Sequence, residues 1–230
     1  QFSGSSLPTM LHLIKQPLMV FDLRLEPHFF NNGYAISFFC YRNDYYNSTY
    51  SDQWFETECR LLRELNDNNK DHITLNIITD KQHKRILNSE PALVDKGVLL
   101  TEENFLKEHH INYQRLPVLD GHLPHPLVVD QFLATIKTLP HDMWVHFHCR
   151  GGKGRTNTFM VMYDMYRNAR HVSLDDIINR QELIGPTLVR EYPEPRRSRV
   201  DTFFKNFYAY LQDDKGLNYE LWSTWIQKRT

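Results

Sequence analysis

The sequence predicts an α/β domain in which helices flank a largely parallel sheet. Three observations point there. Short β-branched or aromatic runs alternate with longer stretches of helical periodicity along most of the chain. The strand candidate 143–148 runs directly into a glycine-rich loop and then an apolar helix, an arrangement of open α/β sheets. A hydrophobic content of 41%, with 13% aromatics, over 230 residues supplies the core of one large domain.

In chain order, LMVFDLR (18–24) is a short apolar strand running into polar residues. QWFETECRLLRELN (53–66) places Trp54, Phe55, Cys59, Leu62 and Leu65 on one helical stripe. ITLNIIT (73–79) and KGVLL (96–100) are strand candidates, but polar DNNKD and basic KQHKR interrupt the alternation around them. Residues 67–108 are therefore expected to form a small β-rich insertion within a single domain spanning 1–230. YQRLPVL (113–119) is a strand, and PLVVDQFLATIKTL (126–139) a helix with Pro126 in its first turn. MWVHFH (143–148) and TNTFMVMYDMYRNA (156–169) flank the glycine loop. DTFFKNFYAYLQ (201–212) and YELWSTWIQK (219–228) read as helices whose aromatic stripes belong to the core.

A formal net charge of -1 gives no general attraction to nucleic acid or to an anionic membrane, so any affinity for anions must be local. No run reaches the roughly 18 apolar residues of a membrane span, so a soluble protein is expected. The three cysteines, Cys40, Cys59 and Cys149, lack CxxC spacing, which argues against a disulfide framework and a zinc cluster, although Cys40 and Cys59 could pair. The chain begins at Gln1 without an initiator Met, consistent with a processed upstream segment such as a signal peptide.

Residues 148–156 read HCRGGKGRT. Three glycines raise the entropy cost of ordering this loop and three cations repel one another, so an anion should sit among them. Gly151, Gly152 and Gly154 let backbone amides turn inward, and the following helix adds its positive end. Cys149 at the mouth of such a cradle is favoured as a thiolate, a nucleophile beside a bound phosphate. Arg155 can grip two phosphate oxygens with its planar fork. Thr156 could stabilise the thiolate as a leaving group, and His148 could fix the loop. The plain alternative, a buried inert thiol beside a turn, leaves the cations unexplained.

An alcohol leaving group needs a proton, and Asp120, on the loop VLDGHLPHP (118–126), is the expected general acid. Asp130 and Asp142 are rivals that read as structural. Arg150 and Lys153 bring the cations round the pocket to three where a monoester needs one, which suggests a polyanionic small-molecule substrate.

The pattern HCxxGxGRT resembles the protein tyrosine phosphatase superfamily, which implies two-step hydrolysis through a phosphocysteine without metal or other cofactor. The cations at 150 and 153 resemble those of tensin-homologue lipid phosphatases. A wider resemblance is to bacterial protein-tyrosine-phosphatase-like phytases, inositol polyphosphatases. It is carried by QFSG at the start, FDLRLEPH (21–28), LDGHLPHPLVVDQFLATIKTLPHDMWVHFHC (119–149), FMVMYDMYRN (159–168), RQELIG (180–185) and LWSTWIQK. It implies a phosphatase fold with a small partial β-barrel insertion, Arg24 and His122 as substrate contacts, and Asp120 as acid. A monomer is expected, and three settings stay open: secreted, periplasmic or, as an effector, a host cell. The chain departs from the family where Gly121 separates Asp120 from His122 and Leu123 replaces a Trp. Lysines that family members bring from a loop before the last helices have as counterparts Arg196, Arg197 and Arg199, and His83 and Lys84 are placed at the pocket rim. A metal reading of the histidines, such as His146 and His148, finds no supporting HExxH or carboxylate spacing.

Overall fold

The computed structural model describes residues 1–37, 53–67, 70–82, 85–185, 192–213, 217 and 219–229. In chain order the elements are α1 (Leu7–Leu13), β1 (Leu18–Arg24), β2 (His28–Asn31), β3 (Tyr34–Ser37), α2 (Gln53–Asp67), β4 (His72–Gln82), β5 (Arg85–Asp95) and β6 (Leu99–Thr101). They continue with α3 (Glu102–Glu108), β7 (Asn112–Val118), α4 (Pro126–Thr138), β8 (Trp144–His148), α5 (Gly154–Asn168), α6 (Leu174–Ile184), α7 (Arg196–Gln212) and α8 (Trp222–Gln227). β7, β1 and β8 form a three-stranded sheet in that order. It is the parallel sheet of an α/β fold, flanked by helices. β1 is buried along its whole length, as a strand covered on both faces must be.

By contact the chain divides into two compact units. The first comprises Gln1–Val20, Arg24–Gln114 and Asp142–Val145; the second comprises Phe21–Leu23, Arg115–His141 and His146–Thr230.

In the first unit, β2 and β3 are a hairpin joined by Asn32 and Gly33, at φ 49 and 79. Two left-handed residues make the tight turn that matches strand twist. β6 pairs antiparallel with the other edge of β2. The strand expected at 73–79 is longer, β4, and pairs antiparallel with β5 in a separate two-stranded ribbon. The antiparallel structure thus begins at His28. One core cluster packs Leu7, Leu18, Val20, Phe30, Phe105 and Leu106, with the Phe30 and Phe105 rings stacked at 4.3 Å. A second sets Phe29, Ile73 and Leu99 against Leu62 and Leu65 of α2.

The second unit is built on aromatic packing around β8, α4 and α5. Phe21 stacks on Phe147 at 5.2 Å, and Phe132 meets Phe159 edge-on at 5.2 Å. Asp164 of α5 accepts hydrogen bonds from Arg180 and Gln181 of α6, which ties those helices together. Trp222 of α8 is buried against Phe207 and Tyr210 of α7. Asp130 Oδ1 accepts from the Ser223 backbone N–H at 3.2 Å in the first turn of α8. Burial, with Asp130 and Glu220 nearby, pushes the Tyr210 hydroxyl up to about 12.

Three of the expected helices start elsewhere, α8 among them, at Trp222 rather than 219. α7 begins at Arg196 rather than 201, and α5 begins at Gly154 rather than 156, so the end of the glycine loop is already helical.

Candidate active site

Five residues, Cys149–Lys153, carry the chain from β8 into α5. The passage is possible because Gly152 takes φ +64, a left-handed conformation that costs glycine little. At Gly151 and Gly152 a Cβ would meet no atom within 4 Å, so the outer side of the loop is bare. The first turn of α5, Arg155–Thr158, is buried.

Cys149 is 4% exposed. Burial alone pushes its thiol up. Against this stand the Thr156 hydroxyl, which donates to Sγ at 3.2 Å, the Arg155 charge, and the backbone N–H groups of Thr156 and Lys153. Together they outweigh burial, and the thiol is held below its usual range.

Arg155 is anchored from two strand ends: Nη1 donates to the Val118 carbonyl at 3.0 Å and the Leu23 carbonyl at 3.4 Å. Its Nη2 lies 3.3 Å from Asp120 Oδ1. Asp120 follows β7 and precedes Gly121 at φ +81, on a turn that leaves the carboxyl about a quarter exposed. His122 is exposed, and its Nδ1 donates to the Asp120 carbonyl at 3.1 Å. Beside this constellation lies a cavity of about 220 Å³ lined by Gly121, His122, Arg155, Tyr192, Arg196 and Arg199, among others.

The structure therefore brings Cys149, Arg155, Thr156 and Asp120 together in the second unit. Lys153 is exposed on the loop, Arg150 is half-buried, and His148 is buried at the end of β8. Arg196 and Arg199, one helical turn apart on α7, line the cavity, whereas Arg197 turns to Glu194, its Nε donating at 2.9 Å. Among the described residues no carboxylate pairs with Arg196 or Arg199. Arg24 belongs to the first unit and is fully buried, donating to Glu26 Oε1 and Ser37 Oγ, both at 2.9 Å. His83 and Lys84 lie outside the described residues. Sequence reading missed Tyr192, whose ring carries the Arg196 guanidinium at 4.0 Å. Its one sequence signal was its place four residues before an arginine at a helix start.

The family model for PTP-like phytases, described as inositol hexakisphosphate, matches residues 21–167, well over half of the chain and all of the loop. The chain belongs to the PTP-like phytase family. Among solved structures, the PTP-like myo-inositol phosphatase of Mitsuokella multacida, in complex with myo-inositol-(1,3,4,5)-tetrakisphosphate, is 33% identical with a TM-score of 0.89 over 100% of this chain. A PTP-like phytase from Bdellovibrio bacteriovorus is 29% identical, with a TM-score of 0.80 over 98% of this chain and 83% of its own. Effector protein hopD2 of Pseudomonas syringae pv. tomato is 27% identical over 230 residues, 92% of this chain. The chain spans 40% of the length of the Mitsuokella protein and 46% of hopD2. No described helix is long and apolar enough to cross a membrane.

Proposed function

We propose that this member of the PTP-like phytase family is a metal-independent cysteine phosphatase that removes phosphates from inositol hexakisphosphate and related inositol polyphosphates. The observation that carries the reading is the Cys149 thiol, buried yet held low by Thr156, Arg155 and two backbone N–H groups beside a cation-lined cavity.

In the first step the Cys149 thiolate attacks phosphorus, an S–P bond forms and the P–O bond to the ring breaks. Asp120 gives its proton to the departing oxygen, which leaves as the alcohol. Arg155 binds the phosphoryl oxygens through the bonding period. A phosphate that takes Nη2 draws it from Asp120, which lies 3.3 Å away, and frees the carboxyl to face the leaving oxygen. In the second step water attacks phosphorus, Asp120 takes its proton, and the S–P bond breaks to give phosphate and thiolate. The Thr156 hydroxyl stabilises that thiolate as it leaves. His148 would hold the strand end from which the loop starts. Gly151, Gly152 and Gly154 leave backbone N–H groups facing the phosphate, and Arg150, Lys153, Arg196 and Arg199 serve the remaining phosphates. Arg24 and His122 as substrate contacts rest on the family resemblance.

The likeness to an effector protein favours delivery into a host cell among the settings considered. A phosphate-release panel comparing inositol hexakisphosphate, a phosphoinositide and a phosphotyrosine peptide tests the substrate class. Preference for inositol hexakisphosphate is expected; preference for the peptide would overturn the assignment.

A further inference from the structure

Arg196 and Arg199 contrast with their neighbours. Arg197 bridges to Glu194 and Lys205 to Asp201, while no described carboxylate pairs with either of the two that line the cavity. An unpaired arginine normally wanders, since its side chain carries about 2 kcal/mol of rotamer entropy. Arg196 is restrained from two sides. Its guanidinium carbon lies 4.0 Å above the Tyr192 ring centre, and its Nη2 occupies the space that a Cβ on Gly154 would need, 2.7 Å away. Tyr192 is itself fixed, with 9% of its surface exposed. Burial and the nearby Cys149 charge push its hydroxyl up against the opposing pull of Arg196, so the ring lies within reach of the thiolate's field. Stacking uses the face of a guanidinium and leaves its in-plane N–H donors for an anion.

We infer that Tyr192 is a positioning residue for substrate choice: its ring holds Arg196 at the Gly154 edge of the loop, where the guanidinium takes a second phosphate of the molecule that Cys149 attacks. This rests on the reading of the site as a polyphosphatase and adds the residue that makes a neighbouring phosphate count.

The test compares kcat and KM for inositol hexakisphosphate and for p-nitrophenyl phosphate, which has one phosphate, and measures inhibition of p-nitrophenyl phosphate hydrolysis by inositol hexakisphosphate as a binding readout independent of its turnover. Tyr192→Leu should lower kcat/KM for the hexakisphosphate about tenfold more than for p-nitrophenyl phosphate, through KM, and weaken its inhibition by a similar factor, the size of one charge-assisted contact. Tyr192→Phe, which keeps the ring, should retain the wild-type ratio. On an Arg196→Gln background, Tyr192→Leu should cost no further selectivity. An equal loss on both substrates, a Tyr192→Phe defect as large as that of Tyr192→Leu, or additive losses in the double variant would each overturn the positioning role. Should Tyr192→Leu fail to fold, Arg196→Gln carries the test alone, and an unchanged substrate ratio overturns the subsite. Wild-type protein that binds inositol hexakisphosphate but releases no phosphate from it would refute the proposed activity and leave the inhibition arm to decide this inference.

Discussion

Replacing Thr156 by Val removes a hydroxyl and keeps the side chain's shape, which isolates what that hydroxyl does for Cys149. Burial pushes the thiol up, and the Thr156 hydroxyl is the largest of the partners that bring it down. A hydrogen bond to a charged group contributes about 1.5–3 kcal/mol. With Cys149 4% exposed, water cannot replace the lost donor easily, so the upper half of that range applies. The sign follows: with the donor gone, the thiol moves up and its thiolate appears only at higher pH. In the acid range the thiolate population should fall roughly 40- to 140-fold. Inactivation by iodoacetate, followed from pH 4 to 9, reads this directly. Wild-type protein should react at acidic pH, the variant should need higher pH, and the two rates should converge in alkali. The same loss should slow phosphocysteine hydrolysis, so that product appears in a burst. Superimposable inactivation profiles from two folded proteins would show that the Thr156 hydroxyl does not hold the thiol down.

Asp120→Asn should lower kcat on inositol hexakisphosphate by about 10² or more, and by much less on p-nitrophenyl phosphate, whose leaving group needs little protonation; equal losses on both would place the acid elsewhere. The kcat/KM profile should be bell-shaped with an acidic optimum, since the mechanism needs Cys149 as the thiolate that its partners favour together with a proton on the general acid; activity rising steadily above pH 8 would contradict it. Chelators should leave the rate unchanged and vanadate should inhibit, both read in the same phosphate-release assay. Asp164 is a stability prediction. Burial raises its carboxyl, but hydrogen bonds from Arg180, Gln181 and Asn168 more than offset this and hold it low. A folded-state carboxyl held low contributes stability above the ordinary carboxylate range and loses it as pH falls through the lowered value. Asp164→Asn should therefore cost about 1–2 kcal/mol at pH 7, a value reduced because Arg180 is half-exposed, with the difference in Tm shrinking as pH falls below the ordinary carboxylate range.

The parallel sheet was legible because β1, β7 and β8 each carry a short apolar or aromatic stretch, and α4 and α5, which follow β7 and β8, show helical periodicity. The β5 strand was not, since Pro91 argues against a strand interior. A two-stranded ribbon has an outer edge that needs no ladder donor, and Pro91 is tolerated there opposite Asn76. The β2–β3 hairpin carried a signal that went unused, the Asn32–Gly33 pair between short apolar runs. So did α6, where Ser173 accepts from the Asp176 N–H and caps a helix with two aspartates in its first turn. At the site, Cys149, Arg155 and Thr156 could be read because their chemistry is compressed into nine contiguous residues. The division of labour among Arg196, Arg197 and Arg199 could not, because it depends on where α7 begins. Starting the helix at Arg196 puts the first and third on one face and leaves Arg197 to Glu194.

The proposed chemistry requires a covalent intermediate at Cys149. Protein mixed with inositol hexakisphosphate, quenched within milliseconds and analysed by peptide mass spectrometry, should carry one phosphoryl group on the peptide containing Cys149, and Cys149→Ser should show neither that adduct nor turnover. A phosphoryl group on another residue, or phosphate release by Cys149→Ser at an appreciable fraction of the wild-type rate, would contradict it.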